Sequence, residues 1–290
     1  MFLRHAPAEW TPGARVVPTV VAGLTAVLAA ACGPAAPPDE ADGPARRIVS
    51  LDYCADQYVL GLVERGRILA LSPDAGEAFS YLRAQAEGLP TVRPRAEDVL
   101  VLQPDLVVRT YGGGPRAGTF FEQAGVAVLE IDYAPDVASV RAGIRRAAAR
   151  FAAGGRGEEL IAEMDARVER ARARGARSRA LYLTPAGVSA GAGTFVDDLI
   201  AAAGLGNFDD RSGWRSIPLE RLAYEAPDVY AVPSFGATNH RNGWTPFRHP
   251  VATGRVAAGP TIPIDGSTTA CGGWFLADAV EALAAGADPP

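Results

Sequence analysis

One pattern occurs twice in this chain and constrains its fold more than any other feature. Ala96-Glu-Asp-Val-Leu-Val-Leu-Gln-Pro-Asp-Leu-Val-Val108 is answered by Leu219-Glu-Arg-Leu-Ala-Tyr-Glu-Ala-Pro-Asp-Val-Tyr-Ala-Val232. In each copy a glutamate, Glu97 or Glu220, stands seven positions ahead of a Pro-Asp pair. The first half of each copy predicts a short helix, with an acid in its first turn where the helix dipole favours negative charge. The proline ends that helix, the aspartate turns the chain, and the apolar run that follows predicts a buried strand. Helix, turn and strand recurring in register predict a duplication. Two similar α/β halves follow from it, with the cleft between them as the default binding site.

The rest of the chain alternates in the same way. Strands are predicted at Ile48–Leu51, Ile68–Leu71 and Val126–Ile131, with a helix between the first two that buries Ala55, Tyr58, Val59, Leu62 and Val63 at helical spacing. Ser50 or Asp52 can cap that helix. Residues 136–175 hold no strand candidate and predict a helical crossover, kinked at Gly154-Gly155. Beyond it come a strand at Arg179–Leu183, a helix at Phe195–Ala203, a last strand near Ala258–Ile264, and a final helix burying Leu276, Val280 and Leu283. Strands alternating with helices predict mostly parallel sheets. The expected division is an N-terminal lobe at 46–135, the linker at 136–175 and a C-terminal lobe at 176–290.

Residues 1–31 have the form of a secretory signal, with Arg4 and Arg15 ahead of an apolar, alanine-rich Val16–Ala31. That run is too short and small-sided for a comfortable membrane span. Ala29-Ala-Ala-Cys32 admits two processings: cleavage after Ala31, or lipidation of Cys32 as the first residue of a membrane-anchored lipoprotein. Residues 32–45 are proline-rich and polar and predict a flexible tether. Export to the periplasm follows from either processing. A net charge of −5 without a basic stripe argues against nucleic-acid binding. Three histidines and no Cys-x-x-Cys argue against a protein-built zinc site, so no metal or cofactor is expected.

Val49-Ser-Leu-Asp-Tyr-Cys-Ala-Asp-Gln57, the two repeats, Gly191-Ala-Gly-Thr-Phe195, His249-Pro250 and Cys271-Gly-Gly together resemble the periplasmic binding proteins of ABC importers for cobalamin and ferric siderophores. The resemblance covers nearly all of residues 46–286. It implies two Rossmann-like lobes joined by a long helix, a monomer, and a metal chelate held between the lobes for delivery to a permease dimer in the inner membrane. Carried to matching positions, the ligand contacts become Tyr53, Cys54, Arg93, Arg109, Thr110, Tyr111, Trp214, Arg215, Thr269 and Cys271. Arg93, Arg95, Arg109, Arg116 and Arg215 would suit an anionic chelate, because guanidinium groups grip carboxylates and catecholates in forked pairs. That places ferric siderophore first and cobalamin second. The resemblance also makes Glu97 and Glu220 the transporter-docking residues, one lobe to each permease subunit.

In the resembling family the helix starts at Cys54 and Cys271 face the cleft. With Cys32 lipidated, these two remain as an even pair in an oxidising compartment. A disulfide, buried thiols and thiolates touching the ligand are the three readings of the pair, and a disulfide between Cys54 and Cys271 across the lobe interface is the expected one. The competing function is an α/β serine hydrolase. Gly187-Val-Ser-Ala-Gly191 matches a nucleophile elbow at Ser189, with Asp228 and His240 or His249 downstream. Thr184-Pro-Ala before it and Gly193-Thr after it break the strand–turn–helix that such an elbow needs. Gly113…Gly118-Thr119 resembles a phosphate loop without its lysine. A binding protein and no enzyme is the expectation.

Overall fold

A computed structural model describes residues 44–174, 178–236 and 246–287. The expected signal segment, Cys32, most of the expected tether and His240 lie outside these residues. In the N-terminal lobe, β1 (Ile48–Ser50), β2 (Ile68–Ala70), β3 (Leu106–Arg109) and β4 (Ala127–Glu130) form a parallel sheet ordered β2-β1-β3-β4. In the C-terminal lobe, β5 (Arg179–Tyr182), β7 (Gly206–Asn207), β9 (Val229–Ser234) and β10 (Thr261–Asp265) form a second parallel sheet ordered β10-β9-β5-β7. Taken from its other end, the second order repeats the first strand for strand. The duplication is therefore one of topology as well as sequence.

The repeat has a visible physical cause. Asp105 accepts the backbone N–H groups of Arg46 at 2.8 Å and Arg47 at 3.0 Å, just ahead of β1. Asp228 accepts the Arg179 N–H at 2.6 Å, at the start of β5. In return the amides of Asp105 and Asp228 donate to the carbonyls of Arg47 and Arg179. Each Pro-Asp turn thus fixes the register of its own strand against the strand that opens its lobe. Before the turns stand two short helices, α3 (Ala96–Leu100) and α8 (Leu219–Tyr224).

Alternation along the strands buries both sheet faces, as parallel sheets require. Ile48, Leu106 and Val108 meet α1 (Tyr53–Leu62), whose Ala55, Tyr58, Val59 and Leu62 are buried. Val49 and Val107 point the other way, toward Val99 of α3 and Phe121 of α4 (Ala117–Gln123). The tiny α2 (Arg83–Ala86) lies in the long β2–β3 connection. Ala45, assigned to the tether by composition, is instead buried in this core, and its carbonyl accepts from Arg67 Nε at 2.7 Å.

The linker is helical but is not one helix. It consists of α5 (Val137–Arg150) and α6 (Gly154–Arg172). The break falls at Phe151–Ala153, where Ala152 takes a φ of 56°, and Gly154 opens the next helix rather than kinking a continuous one. The two helices pack on each other, with Arg141–Asp165 and Arg145–Glu158 pairs between them. On the other side α6 packs on α10 (Leu276–Ala287), and α7 (Phe195–Ala202) completes the layer. A single apolar cluster runs through α1, α5, α6, α7 and α10, so the lobes share a core.

The sequence patterns give no sign of four elements, the two-residue β7 among them. Strands β6 (Val188–Ala190) and β8 (Trp214–Ser216) form an antiparallel pair without counterpart in the first lobe. Helix α9 (Pro250–Ala258) follows His249, whose Nδ1 accepts the Val251 N–H at 3.2 Å as an N-cap. His249-Pro250 is therefore a helix start with proline at its first position.

Candidate ligand cleft

Helix α1 anchors the loops that shape the cleft. Asp52 caps it by accepting the Ala55 N–H at 2.9 Å. The same carboxylate accepts the N–H groups of Thr110 (2.7 Å), Tyr111 (3.2 Å) and Gly112 (2.9 Å), together with the Thr110 hydroxyl. A single buried acid thus positions the loop after β3. Gln57 does the same for the segment before α2: it donates to Ser80 Oγ at 2.9 Å and accepts the Leu82 N–H at 2.7 Å. That brings Phe79 edge-on to Tyr53, ring centroids 4.8 Å apart. Tyr53 in turn lies edge-on to Tyr111.

Between the lobes lies a cavity of about 430 Å³. Its N-terminal wall is Tyr53, Cys54, Tyr58, Thr110, Tyr111 and Ile131–Ala134; its C-terminal wall is Phe195, Trp214 and Thr269–Gly272. These N-terminal residues follow β1, β3 and β4, and the 269–272 loop follows β10. The cavity therefore sits at the carboxyl ends of parallel strands, where open α/β sheets bind ligands. Burial raises the pKa of Tyr53, Tyr58 and Tyr111, so these phenols stay neutral donors at physiological pH. Tyr182, buried behind the wall and pushed up to about 12, shares a 3.0 Å hydrogen bond with Thr269 and orients it.

Of the sequence-derived set, the structure brings Tyr53, Cys54, Thr110, Tyr111, Trp214, Thr269 and Cys271 to this cavity. The three arginines are placed elsewhere. Arg93 is exposed and paired with Asp98 at 3.2 Å. Arg109 is buried, and its guanidinium binds the carbonyls of Gly112 (2.9 Å) and Gly114 (2.8 Å) as well as Glu130. Gly113 and Gly114 adopt φ values of 78° and 85°, the left-handed turn that this clamp requires. Arg215 neighbours Trp214 on β8 and binds the Ser212 carbonyl at 2.8 Å. Successive strand residues face opposite ways, so Trp214 takes the cavity side and Arg215 does not. Arg95 and Arg116 are exposed and also lie outside the cavity lining.

The sequence argument missed Tyr58, Ile131–Ala134, Phe195, Ala270 and Gly272. Tyr133 was within reach, since it follows β4 as Tyr111 follows β3.

Cys54 and Cys271 are joined by a disulfide, Cα atoms 5.5 Å apart, in the cavity wall. Cys54 lies in the first turn of α1. Cys271 does not open a helix; it stands in the loop between a 3-10 turn (Gly266–Thr268) and α10. The bond links the two lobes, and other contacts do the same. Tyr58 donates to the Gly272 carbonyl at 2.9 Å, and Tyr81 donates to Asp278 at 2.7 Å while stacking on Phe275. A side chain at Gly61 would run into the Trp274 ring, so glycine permits that close approach.

Ser189 lies in mid-strand on β6, fully buried. Asp228 serves the Pro-Asp turn and His249 caps α9, and neither has Ser189 among its partners. No strand–turn–helix elbow forms there. Among the described residues no cluster of three or more His, Cys, Asp or Glu is placed to hold a metal ion, and no helix is long and apolar enough to cross a membrane.

Two parallel-sheet lobes joined by helices, with an aromatic cavity between them, define a two-lobed solute-binding protein. Residues 48–239 match the family described as periplasmic binding protein, and the chain belongs to that family. A periplasmic haem-binding protein from Pseudomonas aeruginosa aligns with a TM-score of 0.67 at 22% identity, covering 84% of this chain and 93% of that one. One from Roseiflexus sp. RS-1 aligns at 0.66 and 24%, covering 83% and 99%. The vitamin B12-binding protein of Vibrio cholerae aligns at 0.60 and 19%, covering 84% and 97%. These likenesses establish the fold. No curated protein sequence matches the chain.

Proposed function

We propose that the protein captures a planar, conjugated metal chelate of the corrin or porphyrin type and delivers it to the permease dimer of an inner-membrane ABC importer. One observation carries the choice of ligand: the cavity is walled by Tyr53, Tyr111, Tyr133, Phe195 and Trp214, and among the described residues no arginine lines it. Aromatic rings stack on, or meet edge-on, the faces of conjugated macrocycles. Neutral phenols and the Thr110 and Thr269 hydroxyls supply hydrogen bonds at the rim. The anionic ferric siderophore, favoured by the arginines in sequence, loses its support once Arg93, Arg109 and Arg215 are placed elsewhere. Titrating the purified protein with haem, cobalamin and a panel of ferric siderophores, read by tryptophan fluorescence with Trp214→Phe as the control for the cavity signal, tests this. Saturable quenching by haem or cobalamin is expected; binding restricted to siderophores would overturn the choice.

Glu97 and Glu220 are the docking residues in this proposal. Both are exposed in the first turn of α3 and α8, in register between the lobes. Cationic side chains on two permease subunits would complement them, governing encounter and orientation more than folding. Glu97→Lys combined with Glu220→Lys should abolish delivery while ligand affinity and Tm stay at wild-type values. Lipidation at Cys32 would hold the protein at the membrane beside its importer; a palmitate label lost in Cys32→Ser checks it.

A further inference from the structure

Among the described residues six large apolar side chains are exposed: Val101, Tyr111, Phe120, Tyr133, Trp214 and Tyr224. Tyr111, Tyr133 and Trp214 belong to the cavity, and Phe120 lies edge-on to Phe121. That leaves Val101 and Tyr224, the two most open, at 81% and 89% exposure. A lone exposed apolar residue would need no explanation. These two, however, are equivalent positions of the repeats, each four residues after its glutamate. Residues four apart share one face of a helix, so Glu97 and Val101 form one patch, as do Glu220 and Tyr224. Neighbouring positions have diverged: Asp98 against Arg221, Leu102 against Glu225, Gln103 against Ala226. The shared surface of the two copies is the carboxylate with its apolar neighbour.

We infer that Val101 and Tyr224 are the apolar anchors of a duplicated docking contact. The partner is a protein that presents one surface twice by twofold symmetry, each copy offering a cation beside an apolar recess. The inference rests on the importer-docking reading of Glu97 and Glu220 and adds what holds the complex once charge has steered it. Carboxylates at a rim set encounter and register, whereas an apolar group that becomes buried contributes to residence. The anchors differ in size, so the recess accepts either a valine or a tyrosine. Tyr224, with the larger ring to bury, should contribute more.

The experiment places a photo-crosslinking amino acid at Asp98 of the full chain in the cells that produce it. In the otherwise unchanged chain the probe should capture an integral membrane polypeptide. Adding Val101→Ser and Tyr224→Ser should lower that yield at least about fivefold, the factor that corresponds to about 1 kcal/mol of lost contact. Tm should not change, because both side chains are already in solvent. Undiminished capture by the double variant overturns the anchors and leaves the glutamate docking standing. No capture even without the serine changes overturns both. Moving the probe to Arg221 should capture the same polypeptide, and a different polypeptide there would overturn the twofold partner.

Discussion

Asp56 sits inside the N-terminal lobe with no exposed surface, its carboxylate accepting the Ser72 amide at 3.1 Å and the Ser72 hydroxyl at 2.6 Å. Burial pushes its carboxyl from 3.8 up to about 6, against the opposing pull of the serine hydrogen bonds. The folded chain therefore holds this proton more tightly than the unfolded one. The resulting stability is present at low pH and is lost as pH rises through about 6. In a comparison of wild type with Asp56→Asn, the difference in unfolding free energy should fall by about 3 kcal/mol between pH 3 and 7. A difference that does not vary with pH would show that Asp56 does not titrate there. Arg109 belongs to the same scale. Its loss leaves the Gly112 carbonyl without its donor and the Gly114 carbonyl with the Ala117 N–H alone, so Arg109→Ala should cost about 1–3 kcal/mol in denaturant unfolding. Arg93→Ala should alter neither stability nor ligand affinity. Lower affinity in Arg93→Ala would return that arginine to the ligand.

At the scale of elements, the two Pro-Asp turns make the clearest case. Each aspartate ties its turn to the opening strand of its lobe, and the two sites lie in different sheets. Asp105→Ala and Asp228→Ala should each destabilise by about 1–2 kcal/mol, and the double variant by nearly the sum, since distant sites add. A double variant no worse than either single one would mean that the turns act as a unit. The repeated turns were legible because helix stop, turn and strand each leave a local mark. Strands β6 and β8 were not, because Val-Ser-Ala and Trp-Arg-Ser lack the apolar run that marks the equally short β1 and β2. Missing β8 had a consequence for the site: without it, the opposite facing of Trp214 and Arg215 could not be inferred.

For the molecule as a whole, the lobes are fastened together beside the cavity between them. The Cys54–Cys271 bond closes a loop across 217 positions. Removing it with Cys54→Ser and Cys271→Ser should cost about 2–5 kcal/mol of stability, mainly by freeing the unfolded chain. Tyr58, Tyr81 and the Gly61–Trp274 contact would still hold the lobes, so the variant should remain folded and bind ligand. A variant that unfolds at room temperature would show those contacts to be too weak to join the lobes alone.

By itself the sequence determined the duplicated α/β architecture, the helical character of the linker and the carboxyl-end loops that could reach a ligand. All of these follow from local periodicity, from turn chemistry and from the fact that the pattern is repeated. Tertiary structure decided which side chains face the cavity. Arg109 is held by carbonyls of a loop whose path depends on Asp52, and Asp52 in turn is fixed by the start of α1. Val101 and Tyr224 look like core positions in a list of apolar residues, and only the packing of α3 and α8 leaves them in water. A side chain's surroundings depend on residues far away in the chain, and periodicity within one segment carries no record of them.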